Sequence, residues 1–186
     1  MSDQPPSSYC EYVNSLDDDN VHTHYHDTQY GFPIDSDNEL FGRLILEINQ
    51  AGLNWTTILN KQENFRTAYS NFDISTVANY GEEDYQRLLN DAGIIRNRLK
   101  IKAAIHNAGV ILQLQDEYGS FAQWLDNNHP LTKEQWVKLF KKTFKFTGGE
   151  ITNEFLMSSG YLKGAHEESC PVHKEIIKLN PAWARQ

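Results

Sequence analysis

The chain is short of several things at once. It has two cysteines, two methionines and six prolines in 186 residues, so neither a disulfide-dense scaffold nor a proline-rich linker is written into it. No apolar run approaches the ~18 residues that a membrane helix needs. The opening Met1-Ser-Asp-Gln-Pro-Pro-Ser-Ser is polar and lacks the apolar stretch of a secretion signal, which makes a cytoplasmic setting the expectation. No alternating run is long enough for a sheet, and there is no internal repeat. Basic residues number 17 against 25 acidic ones, for a formal net charge of −8. That balance argues against a broadly basic nucleic-acid binder but leaves room for local patches.

What is present is an ordinary globular composition, 39% hydrophobic and 23% charged, enough for one well-packed core. Apolar residues recur at helical spacing along most of the chain. The stripe Leu40, Phe41, Leu44, Ile45 and Ile48 predicts a helix capped by an Asp or Asn around 37–38. Further helices are predicted over 54–68, 73–77, 82–89, 100–115, 121–126, 132–142 and 152–158. The reading is all-α: a compact helical bundle forming one domain over 1–186, with residues 1–8 unstructured.

Cys10 and Cys170 lie far apart, and each has histidines nearby. The segment His166-Glu-Glu-Ser-Cys170 would place imidazole and thiolate on one face if it formed a helical turn. At the other end Tyr9-Cys10-Glu11-Tyr12 is followed by Tyr25-His26-Asp27. Two Cys and two His supply the four N/S donors of a structural zinc site, which would clip the two segments together. The spacing is not that of a standard finger. His22, His24, His26, His166 and His173 are all candidates, and two separately buried thiols or a disulfide remain as alternatives.

Two further segments carry chemistry. In the run from Tyr85 to Ile105, a helix ending at Gly93 is followed by a second helix bearing Arg96, Arg98, Lys100 and Lys102 with no acid among them. A left-handed Gly93 would close the first helix. The turn amides and the four cations would then suit a phosphodiester backbone without reading base sequence. The same pattern also describes a plain helical hairpin with a solvated basic face. In Leu46-Glu47-Ile48-Asn49-Gln50-Ala51-Gly52-Leu53-Asn54-Trp55, Glu47 sits between hydrophobic neighbours. It is either a surface carboxylate or an acceptor lining a cavity beside the aromatic face of Trp55.

In this order and spacing, these segments resemble the bacterial DNA-3-methyladenine glycosylase I family of alkylation-repair enzymes. The resemblance rests on Tyr25-His26-Asp27…Tyr30-Gly31, Leu46-Glu47…Gln50-Ala-Gly-Leu-Asn-Trp55, Lys61-Gln-Glu-Asn-Phe-Arg66, Asp91-Ala-Gly-Ile-Ile-Arg96, Phe144-Lys-Phe-Thr-Gly148 and His166-x₃-Cys170, and spans about residues 9–173. It implies a helix-hairpin-helix fold, with the motif at about 85–106, and one structural zinc held by Cys10, His26, His166 and Cys170. It assigns base binding to Glu47, Tyr25 and Trp55, with Tyr12 and Tyr30 standing where tryptophan is usual. Glu47 is the catalytic candidate, Leu53 fills the gap left by a flipped base, and Gly93, Arg96, Arg98, Lys100 and Lys102 face DNA. The implied activity is hydrolytic excision of 3-methyladenine without strand cleavage, by a monomer acting on double-stranded DNA with alkylated bases. Asp126 is not a transferable catalytic residue. Ile48, Asn49, Leu99, Thr143 and Gly149-Glu150 depart from the family pattern and bear on substrate range. The rival readings are a glycosylase for another modified purine and a zinc-stapled damage binder without turnover.

Overall fold

A computed structural model describes residues 6–185. Among these residues there are twelve α-helices and no strand. The chain divides into two compact units: residues up to Pro33 together with those from Leu156 onward form one, and Ile34–Phe155 form the other.

The first unit contains α1 (Tyr9–Asn14), α2 (Val21–Thr28) and α12 (Pro171–Lys178). Each start has a local cause. Ser8 and Asn20 accept from the backbone amides of Glu11 and His22, and Pro171 sits in the first turn of α12, where a missing N–H costs nothing. The expected unstructured start lies, for residues 1–5, outside the described residues. Ser7 and Ser8 are placed, both bonded to Glu11.

The second unit runs through α3 (Asp37–Gln50), α4 (Trp55–Leu59), α5 (Gln62–Ala68), α6 (Ile74–Ala78), α7 (Glu82–Asn90), α8 (Arg98–Tyr118), α9 (Phe121–Asn128) and α10 (Lys133–Thr143). It then enters α11 (Gly149–Ser158). The long α8 packs against α3, α6, α7 and α9. Its buried Ile101, Ala104, Ala108 and Ile111 belong to the same core as Leu40, Phe41, Leu44, Ile45 and Ile48 of α3. Burying each large aliphatic side chain of that core contributes ~1.5–3 kcal/mol. A cluster of Phe121, Trp124, Phe140, Phe144 and Phe155, with ring centroids 5.3–6.1 Å apart, packs α9 and α10 together with Phe155 of α11.

Several predicted ends shift by one to three residues, α8 and α11 most, and two departures go further than that. The helix expected over 54–68 is two helices, broken at Asn60–Lys61, where the Lys61 backbone leaves helical geometry at φ −106°, ψ 3° and its side chain reaches the turn after α7. The cap of α3 is Ser36, not Asp37 or Asn38. Asp37 instead accepts from the amides of Phe121 and Ala122 at 2.7 and 3.0 Å, so it caps α9 from a distance.

Candidate functional site

The first unit gathers four buried side chains from distant segments. Cys10 comes from α1, His26 from α2, His166 from a loop, and Cys170 caps α12. Their donor atoms all lie within 4.8 Å of one another. Cys10 Sγ and Cys170 Sγ are each 3.7 Å from His166 Nδ1, and Cys170 Sγ is 3.8 Å from His26 Nε2. A tetrahedron with zinc–sulfur and zinc–nitrogen bonds of ordinary length has edges of ~3.4–3.8 Å, so the donor set fits a single metal ion. The outward ring nitrogens are fixed as such a site requires. His26 Nδ1 donates to Asp27 at 2.6 Å, and His166 Nε2 donates to the Tyr30 carbonyl at 2.7 Å. Burial pushes the Cys10 thiol up to about 11 and the His166 imidazole down to about 4. A divalent cation acts on the thiol in the opposite sense by displacing its proton.

His166 and Cys170 are not on a helical turn, as their spacing suggested. They lie in the loop before α12, where the Cys170 amide closes a turn onto the Glu167 carbonyl. Next to the ligands is a wall of rings. Tyr9 packs against His26, Tyr25 and Tyr30 at 5.8, 6.5 and 5.5 Å, and Tyr25 against Tyr30 at 5.5 Å. Tyr12 stacks on Tyr9 at 6.2 Å. Tyr25 and Tyr30 are buried and Tyr12 is half-buried. Tyr9, which donates to or accepts from His22 Nδ1 at 2.9 Å, was not singled out from sequence. Its place beside Cys10 was the only hint.

In the second unit, α3 carries Glu47 with only 4% of its surface exposed. The surface-carboxylate alternative is thereby excluded. The helix then stops at a turn in which Gly52 has φ +79°, a conformation that side chains resist. Gln50 Nε2 braces this turn on the Leu53 carbonyl at 3.0 Å. Leu53 is left 39% exposed, and Asn54 caps α4, whose first residue is the half-buried Trp55. Of the departures beside Glu47, Ile48 is core and Asn49 folds its amide back on the Ile45 carbonyl at 2.8 Å.

The basic hairpin differs from expectation at two residues. Gly93 is not a left-handed cap: α7 ends at Asn90, and Gly93 has an ordinary backbone. A Cβ there would meet Asp91 Oδ1, the acceptor of the Gly93 amide, at 2.9 Å and Asn64 at 3.3 Å, so a side chain would crowd the bond that shapes the turn. Lys61 Nζ donates to the carbonyls of Ala92 and Gly93, both at 3.0 Å, and so holds the turn; sequence reading gave it no such role. Lys100 was expected to face DNA but is 4% exposed. Its ammonium donates to the carbonyls of Asn49 and Ala51, both at 2.8 Å, at the end of α3. A lysine at that position neutralises the helix's free carbonyls, and burial lowers its pKa below the ordinary lysine value. Arg96, Arg98 and Lys102 are exposed. The α8 N-terminus is already capped by Asn97, which accepts from the amides of Leu99 and Lys100.

Lys100→Met should therefore act as a stability variant, losing about 2–3 kcal/mol as two charge-assisted bonds vanish and two carbonyls lose their donor. Thermal melting checks this. A melting temperature equal to wild type would refute the capping role.

A family model described as methyladenine glycosylase matches residues 15–138. The chain is 36% identical over 180 residues to the DNA-3-methyladenine glycosylase 1 of Escherichia coli (strain K12), an alignment covering 87% of this chain and 94% of that one. It is 30% identical over 180 residues to the DNA-3-methyladenine glycosylase of Haemophilus influenzae, covering 87% and 96%. Among solved structures, 3-methyladenine DNA glycosylase I from Staphylococcus aureus, described for its recognition of 3-methyladenine, superimposes with a TM-score of 0.76. The identity is 31%, over 84% of this chain and 93% of that one.

Proposed function

Because the chain belongs to the methyladenine glycosylase family, we propose that it flips 3-methyladenine out of alkylated duplex DNA and hydrolyses the N-glycosyl bond without cutting the strand. The observation that carries this reading is Glu47: a carboxylate buried in an apolar helix, followed directly by a turn presenting Leu53 and Trp55.

A base inside a duplex cannot be inspected, so it is extruded and then read by stacking and hydrogen bonds. N3-methylation leaves the adenine cationic in the nucleotide and its glycosidic bond weakened, so the base departs with little general-acid help. A buried carboxylate accepting from the exocyclic amine favours this cation over neutral adenine, since charge-assisted bonds are the strong ones. Trp55 supplies a face on which an electron-poor ring stacks. Tyr25, Tyr12 and Tyr30 keep the base-recognition role that the resemblance assigns them. Leu53 fills the gap left in the duplex. Lys61 and Lys100 direct their ammonium groups at backbone carbonyls and are committed to holding turns rather than to Schiff-base chemistry.

The metal of the four-residue cluster is taken to be zinc. Four protein donors leave no open position, so its part is structural and no step of the reaction runs through it. The enzyme is read as a cytoplasmic monomer forming one glycosylase domain over 1–186, with helix-hairpin-helix residues 85–106 on the DNA backbone. Incubation with methylated DNA and chromatography of the released bases tests the assignment. Free 3-methyladenine is expected. Another purine alone, or lesion binding without release, would replace it with the corresponding rival.

Neutralising Arg96, Arg98 and Lys102 together should weaken binding to damaged and undamaged duplex alike. The slope of log affinity against log salt should also become shallower, by up to ~0.9 for each phosphate that the variant no longer neutralises. An unchanged salt slope would remove the hairpin from the DNA-facing surface.

A further inference from the structure

Phe146, in the Phe144-Lys-Phe-Thr-Gly148 segment, is held in a conformation that a bulky side chain avoids. Its φ is +62°, a backbone region ordinarily left to Gly, Asn or Asp. Such strain persists only where the surroundings over-determine it, and here they do. Fully buried Asn107 of α8 grips the preceding residue on both sides, donating to the Lys145 carbonyl at 3.0 Å and accepting from its amide at 2.8 Å. On the other side the buried Thr147 hydroxyl donates to the Phe140 carbonyl at 3.0 Å, with the Phe144 carbonyl 3.2 Å away. The ring aimed by this brace does not go into the core. It is 38% exposed.

Its place is defined by Lys100. Lys100 Nζ lies 6.0 Å from the Phe146 ring centroid and 2.8 Å from the Ala51 carbonyl, two residues before Leu53. Leu99, the chain neighbour of Lys100, is 67% exposed. Thus three of the five exposed large hydrophobics among the described residues, Leu53, Leu99 and Phe146, are tied to one buried ammonium. Exposed lysines accompany Phe146: Lys145 precedes it in the chain, Lys141 lines the same groove, and neither makes an ion pair among the described residues. An exposed aromatic ring flanked by unpaired lysines, in a protein of net charge −8, fits a partner that is apolar inside and anionic outside. Unstacked duplex DNA is such a partner.

We propose that Phe146 is a second wedge, stacking on a base unpaired by extrusion while Leu53 fills the gap, with Lys141 and Lys145 on flanking phosphates. This rests on the glycosylase reading above. The probe is a duplex carrying a tetrahydrofuran abasic analogue with 2-aminopurine opposite it, compared with the undamaged duplex. Phe146→Ala should weaken binding to the tetrahydrofuran duplex by about 10-fold or more, the scale of removing one base–aromatic stack, and abolish quenching of the 2-aminopurine. Binding to undamaged duplex should change by less than about 2-fold, and Phe146→Trp should restore both signals. Phe146→Gly and Phe146→Asn, which accept a positive φ, should melt within about 4 °C of wild type while losing lesion binding.

Wild-type preference for the abasic duplex with an unaffected Phe146→Ala would overturn the wedge alone. A large drop in melting temperature in both the glycine and asparagine variants would assign the ring to packing and overturn it likewise. A wild type that neither prefers the abasic duplex nor releases 3-methyladenine would overturn the wedge and the glycosylase reading together.

Discussion

Replacing Cys170 by alanine is expected to lower the melting temperature by about 10–20 °C. Cys10 and Cys170 tie segments far apart in the chain, and releasing a cross-link of that span returns ~5 kcal/mol of freedom to the unfolded chain. For a chain of this size each kcal/mol moves the midpoint by about 2–4 °C. The metal's contribution is linked to folding, so wild type should melt lower in a strong chelator and recover with added zinc, whereas Cys170→Ala should respond to neither. Elemental analysis of protein purified without added metal should find one equivalent of zinc. Well under one equivalent, together with a chelator-insensitive melt, would remove the metal from the account.

The second large effect is expected at Glu47. Glu47→Gln keeps the shape and removes the charge, so a charge-assisted bond of roughly 1.5–3 kcal/mol to the cationic base is lost. Single-turnover excision of 3-methyladenine should fall about 10- to 100-fold, with binding to undamaged DNA and zinc content unchanged. Trp55→Ala should lose a similar amount through stacking, on the order of 1–3 kcal/mol. A folded, zinc-loaded Glu47→Gln protein that turns over at the wild-type rate would shift base selection to the tyrosines. If excision and undamaged-DNA binding fall together, Glu47 is supporting the fold of α3 instead.

The helices whose apolar stripe is long were visible in the sequence: α3 and α8 emerge from the positions of Leu40 to Ile48 and Ile101 to Ile111 because periodic burial leaves a periodic trace. The short helices α1, α2 and α12 were missed. In α1 and α2 the few turns bury aromatic rings, histidines and a thiol around the ligand cluster, so no apolar period marks them. The helix α12 carries only the pair Val172 and Ile176, too short a stripe to stand out. The metal ligands could be narrowed to two cysteines and five histidines, but choosing among the histidines required the family resemblance. Spacing along the chain does not say which ring nitrogens meet in space.

Lys100 shows the limit most plainly. Along the chain it is one of four cations on a hairpin, and only the position of the α3 carbonyls, some fifty residues earlier, turns it inward. Asn107 and Lys61 were silent for the same reason, because each acts on backbone atoms of a distant segment, and backbone atoms carry no letter in the sequence.

The ligand cluster also imposes an order on biosynthesis. Cys10 and His26 leave the ribosome long before His166 and Cys170 are translated, ~8–30 s earlier at ordinary elongation rates. During that interval Ile34–Phe155 is made as one uninterrupted stretch, while the early thiol has only half of its donor set. A chain that stalls before residue 166 lacks His166 and Cys170, half of the donor set. Completed and interrupted chains should therefore differ in the reactivity of the Cys10 thiol.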